Sequence, residues 1–361
     1  MTRFPILPMS WKTPTIPPLA NELAPALQAR IDNKTKPPRS LGRLEEIALR
    51  LGLMQATVHP KLVAPHVLVF AGDHGLAREG VSPFPPEVTP QMVLNFLAGG
   101  AGINVLARLS NLPIKVIDAG VAAELPDHPD LIKRKVRLGT RNALHESALT
   151  PAEVEQCLES GAAIVRELAE KHGTNAILPG ELGIGNSASA ALLYSAFTGR
   201  PIAECTGRGA GHDDAGLARK IAILERVQAK HGDIREPLAA LAAFGGCEIA
   251  MMTGAMLEAA SRRMLVMVDG FISTSSALTA ARLAPGASDY FIFAHASGDG
   301  PHRIAVQALG GKPLIDLGMK LGEGTGAAMA WPIVRASVAF LDEMATFESA
   351  GVSDRAKEPA K

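Results

Sequence analysis

The chain holds 361 residues, 47% of them hydrophobic, 20% charged and 4% aromatic, and its 36 basic residues balance 36 acidic ones. That balance gives no electrostatic footprint for nucleic acid or a membrane surface, and no uninterrupted apolar run has spanning length. Cys157, Cys205 and Cys247 are odd in number, far apart and without a C-x-x-C, which excludes a disulfide framework or a cysteine zinc site; with no charged-then-apolar leader, a cytoplasmic enzyme is expected.

In chain order, residues 1 to about 35 are Pro-rich and then helical, with Leu19, Leu23, Leu27 and Ile31 four apart on one face. The segment from Thr35 to Gly42 breaks that helix, and a second runs from Arg43 to about Gln55. A strand, His66 to Phe70, ends in Ala71-Gly72-Asp73-His74-Gly75. There Asp73 and His74 either orient a substrate or transfer a proton, or His74 simply bonds a loop carbonyl. A helix is predicted from Gln91 to Leu106, a strand from Ile114 to Asp118, and a helix from Pro151 to His172.

The run Asn175 to Leu178 suits a buried strand and leads into Pro179-Gly180-Glu181-Leu182-Gly183-Ile184-Gly185-Asn186-Ser187, ahead of the helix-forming Ala188 to Tyr194. Strand, glycine turn and helix N-terminus together make a seat for phosphate or carboxylate, because free N–H groups and the helix dipole point at one spot. Asn186 or Ser187 can equally serve as the N-cap. Gly183-x-Gly185-x-x-Ala188 also satisfies the loose dinucleotide fingerprint, but so does Gly322-x-Gly324-x-x-Ala327. A dehydrogenase would further need Glu204 at a strand end, and Arg200 to Cys205 is barely a strand.

Gly207 to Asp214 reads as a loop that either closes over a site or is a solvated connection; Lys220 beyond it either reaches a phosphate or is solvated. A helix from Cys247 to Arg262 precedes the strand Leu265 to Asp269. Asp269 then either faces a ligand or caps the following Ser/Ala-rich helix. His295, Ser297 and His302 flank the end of a strand at Tyr290 to Phe293, and Leu314 to Asp316 is a further strand candidate. The loop Leu321-Gly322-Glu323-Gly324-Thr325-Gly326-Ala327 places a second glutamate among three glycines, ahead of an apolar helix. Glycine admits close backbone approach and positive φ, so this loop can offer one carboxylate to a substrate while the N–H groups of Gly324 and Gly326 face an anion. The final Lys-Glu-Pro-Ala-Lys reads as a frayed tail.

Strands alternating with longer helices imply an α/β fold, a Rossmann-like and mainly parallel sheet with helices on both faces. Ligands bind such sheets at the carboxyl ends of the strands. No metal-ligand spacing occurs among the ten histidines, and no G-x-x-x-x-G-K-[ST] is present.

These segments resemble the nicotinate-nucleotide–dimethylbenzimidazole phosphoribosyltransferases over nearly the whole chain. The resemblance rests on Ala71-Gly72-Asp73-His74-Gly75, Glu87-Val88-Thr89-Pro90-Gln91-Met92, Gly180-Glu181-Leu182-Gly183-Ile184-Gly185-Asn186, Asp269-Gly270-Phe271-Ile272-Ser273-Thr274 and Leu321-Gly322-Glu323-Gly324-Thr325-Gly326. It implies a large Rossmann-like catalytic domain at 61–327, a small helical domain from both chain ends (1–60 and 328–361) and a homodimer. It also implies transfer of ribose 5-phosphate from nicotinate mononucleotide to a benzimidazole-type base, without cofactor, nucleic acid or membrane. By motif, Glu323 falls on the general base, Glu181 on the second active-site glutamate, and Gly183 on a loop glycine beside the nucleotide. Gln91 falls on the base pocket, and Lys220 and Ser297 on positions around the nucleotide and product. The turn Gly183-Ile184-Gly185-Asn186 is expected to hold the 5′-phosphate. The chain departs from the family at Ser187-Ala188, where a threonine pair is usual, and at Asp299-Gly300-Pro301-His302.

Overall fold

The computed structural model describes residues 11–209 and 211–353, which leaves the terminal Lys-Glu-Pro-Ala-Lys outside the described residues. Six parallel strands form one sheet: β1 (His66–Gly72), β2 (Ile114–Gly120), β3 (Leu131–Lys133), β4 (Ala176–Leu182), β5 (Leu265–Val268) and β6 (Phe291–Phe293). Their order is β3-β2-β1-β4-β5-β6. The direction of winding reverses between β1 and β4, so the right-handed crossovers place helices on opposite faces and open a crevice at the carboxyl ends of those two strands. Every residue of β1 is buried, as a strand covered on both faces requires. At the end of β1, Ala71 pairs with Asp118 but Gly72 with Gly120, a bulge that redirects the chain as it enters Asp73 and His74.

The helices, in chain order, are α1 (Ala24–Asp32), α2 (Arg43–Met54), α3 (Val88–Leu97), α4 (Gly102–Leu109), α5 (Pro151–His172), α6 (Asn186–Thr198), α7 (Ile202–Cys205), α8 (Asp214–His231), α9 (Pro237–Phe244), α10 (Cys247–Ser261), α11 (Phe271–Leu283), α12 (His302–Ala308), α13 (Thr325–Glu343) and α14 (Phe347–Ala350). α5 carries a capping box at Thr150 and Glu153, Pro151 in its first turn, and a left-handed Gly173 at its end. α10 is apolar nearly all round and lies in the interior, against α5, α11 and four of the strands.

Three expectations change. β3 is too short to signal itself, and Leu314 to Asp316 forms no strand, only a bridge from Ile315 to His295. The helix expected from Gln91 to Leu106 is two helices, broken where Gly99 takes φ +78°. Val88–Leu109 is long and apolar enough by composition for a membrane helix, but that break divides it. Ile202–Cys205 is a short helix, which removes the strand that a dehydrogenase reading of Glu204 needs.

The chain divides into two compact units. Residues 63–330 form the large one together with residues 11–17, which the Tyr290 hydroxyl holds through a hydrogen bond to the Pro17 carbonyl (2.9 Å). Residues 18–62 and 331–353 form the helical one. Its core joins Leu27, Ile31, Ala48, Leu53 and Leu341, with Leu19 and Leu23 packed alongside, so the four-residue stripe does bury one face.

Candidate active site

The two glutamate loops meet at the reversal point of the sheet. Gly180 in β4 lies directly on the peptide joining Glu323 to Gly324: a Cβ there would stand 2.4 Å from the Glu323 carbonyl and 2.5 Å from the Gly324 nitrogen. Gly322 in turn gives its side-chain space to Glu181, whose Oε1 lies 2.4 Å from where a Cβ would be. Gly322, Glu323 and Gly324 all have positive φ (83°, 63° and 86°). For a glutamate that conformation is strained, and such strain persists where surrounding structure enforces a functional placement.

Both carboxyl groups are buried. The Asn186 amide donates to Glu181 Oε2. Burial, with the charges of Asp269, Glu248 and Glu323 nearby, pushes the Glu181 pKa up to about 8. Glu323 Oε2 accepts from the Ile103 N–H (3.0 Å) in the first turn of α4, and burial still raises its pKa. Asp269 does not cap α11. Its Oδ1 accepts from the Ala327 N–H at the start of α13 (2.8 Å), which pins the Glu323 loop from beyond. Residue spacing could not have shown this, because the capped helix lies 58 residues along the chain.

Beside the carboxyl cluster, Gly185 (φ +97°) opens α6, whose N-terminus has no side-chain cap and carries the positive end of the helix dipole. Ser187 Oγ accepts from Lys220 Nζ (2.9 Å), which also donates to the Gly207 carbonyl (3.2 Å). Lys220 is fully buried, and that burial lowers its pKa to about 8, so an anion brought to Ser187 would raise it again and favour the charged form. The single hydroxyl left where the family has two threonines is thus in use. The crevice, about 870 Å³ with its open mouth included, is lined by Glu181, Gly183, Gly185, Asn186, Ser187, Gly209, Gly270, His295, Ser297, Asp299 and Gly322, among others.

The expected residues therefore take different places. Glu181, Gly183, Gly185, Asn186 and Ser297 line the crevice. Glu323 and Gly324 back it through Gly180, Gly326 packs against the His295 ring, and Lys220 stands behind Ser187. Asp73 and His74 are turned into the protein: Asp73 Oδ2 accepts from the Ala122 N–H (2.8 Å), and both ring nitrogens of His74 have protein partners. Gln91 is exposed on α3 and is not among the lining residues. Sequence reasoning missed Thr89, whose hydroxyl accepts from the Ile184 N–H (3.1 Å) in the glycine turn, and Glu248. Among the described residues no cluster of His, Cys, Asp or Glu has the form of a metal site.

A family model described as phosphoribosyltransferase matches residues 16–352. The nicotinate-nucleotide–dimethylbenzimidazole phosphoribosyltransferase of Dechloromonas aromatica (strain RCB) is 54% identical over 336 residues, covering 92% of this chain and 96% of that protein. The protein of the same name from Cupriavidus necator is 52% identical over 340 residues, covering 94% and 98%. Among solved structures, CobT from Thermus thermophilus superposes with a TM-score of 0.88 at 44% identity, over 92% of this chain and 99% of that one.

Proposed function

The chain belongs to the nicotinate-nucleotide–dimethylbenzimidazole phosphoribosyltransferase family, and from that premise we infer the chemistry of its crevice. It transfers the 5-phosphoribosyl group of nicotinate mononucleotide to 5,6-dimethylbenzimidazole or a related aromatic base, giving alpha-ribazole 5′-phosphate and nicotinate, a step in making the lower ligand of cobamides. The observation that best supports a crevice built for this reaction is the backbone contact of Gly180 with Glu323-Gly324, which brings two buried glutamates to one point beside a helix N-terminus.

The donor carries a cationic pyridinium at C1′ and an anionic phosphate at C5′, and the crevice is polarised to match. The 5′-phosphate goes to the Gly183–Asn186 turn, Ser187 and Lys220, and the cationic end goes to the carboxyl cluster. In the reaction the acceptor ring nitrogen forms a bond to C1′ while the C1′–nicotinate bond breaks. Its electron pair returns to the pyridine ring, so the leaving group needs no acid. Positive charge develops on the sugar; the cationic donor favours the ionised form of Glu181, which then stabilises that charge. Glu323 takes the proton that the acceptor nitrogen must lose. Ser297, Gly324 and Gly326 shape the nucleotide side of the crevice. Gln91 at the acceptor rests on the family motif alone.

The expected assembly is a homodimer, for which Leu94, Val105 and Leu109 offer exposed apolar surface on α3 and α4. The expected compartment is the cytoplasm, since a phosphorylated donor does not cross a bilayer unaided. The test of the reaction is nicotinate release from nicotinate mononucleotide with and without added dimethylbenzimidazole, with the product identified by mass. Release that requires the base supports transfer. Release that ignores it, or binding without turnover, overturns it.

A further inference from the structure

His74 leaves no ring atom for hydrogen bonding to a substrate. Its Nε2 lies 2.6 Å from Glu248 Oε1, and its Nδ1 lies 2.9 Å from Ser189 Oγ. The two side chains of the first pair are 1% and 0% exposed, and Ser189 is 2% exposed. The three residues tie together three separate elements: the end of β1, the second residue of α10 and the first turn of α6.

The surroundings have been cleared for this chain of groups. A Cβ at Gly246 would stand 2.4 Å from both His74 Cε1 and Glu248 Oε2, and one at Gly72 would stand 2.8 Å from the same carboxyl oxygen. Glu248 Oε2 is buried with no hydrogen-bond partner among the described residues. Burying a carboxyl with one oxygen unpaired costs stability, a cost that an apolar residue of similar size would remove. Its placement therefore points to a positional task. A carboxylate accepting from the Nε2–H leaves Nδ1 as an acceptor, so it fixes the tautomer and commits the Ser189 hydroxyl to donate inward. The ring also forms the floor of the glycine turn. Positions for a Cβ on Gly183 and Gly185 fall 3.6 Å from His74 Cδ2 and 3.1 Å from His74 Cβ.

We propose that Glu248, His74 and Ser189 form a positioning relay that holds the Gly183–Gly185 turn and the first turn of α6 where the donor phosphate lands. The relay rests on the reading of that turn as the phosphate seat. None of the three touches the reacting atoms, so its signature is selective for phosphate rather than general.

The test measures dissociation constants by titration calorimetry for nicotinate mononucleotide and for nicotinate riboside, which lacks the phosphate. Glu248→Gln releases the tautomer, and Ser189→Ala cuts the last link while leaving the Glu248–His74 pair in place, so it decides the matter should Glu248→Gln fail to fold. The unmodified enzyme is expected to prefer the mononucleotide. Each variant is expected to lose roughly tenfold in mononucleotide affinity with the riboside unchanged, as for a hydrogen bond involving a charged group. Equal loss for both ligands, or no loss for either, overturns the relay. An unmodified enzyme that binds the two ligands equally overturns the phosphate seat instead.

Discussion

Glu181 is caught between stability and charge. Its pKa, pushed up to about 8 from the usual 4.5, means that the folded chain keeps a proton which the unfolded chain releases. The stability tied to that proton is complete below about pH 4.5 and is lost as pH rises through about 8, at about 1.4 kcal/mol for each unit of separation. Glu181→Gln keeps an oxygen for the Asn186 amide and never ionises. Its melting temperature should match that of the native chain near pH 4.5 and exceed it by several degrees at pH 8.5. Equal melting curves at pH 8.5 would contradict the burial argument. Glu323→Gln still accepts from Ile103, so fold and mononucleotide binding should persist while turnover falls ~10²–10⁴; near-normal turnover removes Glu323 as the base. Gln91→Ala should raise KM for the benzimidazole and leave that for the mononucleotide unchanged. If neither constant moves, Gln91 is only an exposed helix residue. Glu181 and Glu323 were legible because each stands alone among glycines, Glu181 near the carboxyl end of β4 and Glu323 just ahead of α13. Glu248 was not, because it follows Cys247 inside an apolar helix and meets His74 only through a contact 174 residues apart in sequence.

At the level of elements, the strands that line the crevice were readable as apolar runs, because burial on both faces leaves no polar positions. β3 escaped notice since Leu131-Ile132-Lys133 is three residues long and ends in an exposed lysine. The split of α3 from α4 was hidden because apolar residues continue on either side of Gly99. More consequential is what pattern cannot reveal: β4 and the Glu323 loop are locked backbone to backbone through Gly180. Gly180→Ala puts a methyl group 2.4 Å from the Glu323 carbonyl, a distance that backbone movement must relieve. A shift of about 1 Å at reacting groups can cost 10²-fold, so kcat/KM should fall by about that factor. Gly286→Ala, whose Cβ would meet only Ile16 at 3.6 Å, serves as the neutral comparison. If Gly180→Ala is as active as Gly286→Ala, the two loops are not held in register by that contact.

For the whole molecule, the sequence carries one signal that two readings claim. Val88–Leu109 is apolar enough for a membrane helix and largely unburied, with Leu94 (46%), Val105 (48%) and Leu109 (75%) exposed. Single exposed leucines need no explanation, but three large apolar side chains on one segment do. A bilayer requires about 20 continuous helical residues. Here the break at Ala98–Ala101 leaves helices of 10 and 8 residues, neither of which can cross. A second copy of the chain has no such requirement, because a two-fold interface buries the same patch on both partners whatever its helix lengths. Sedimentation velocity at micromolar concentration should therefore give a dimer. Val105→Asp combined with Leu109→Asp should give a monomer of unchanged circular dichroism, since both side chains already face outward and a buried, unpaired carboxylate is heavily penalised. Binding of the native protein to anionic or neutral vesicles would instead assign the exposed segment to a membrane surface. A native protein that sediments as a monomer would leave the exposed segment without a second copy to cover it.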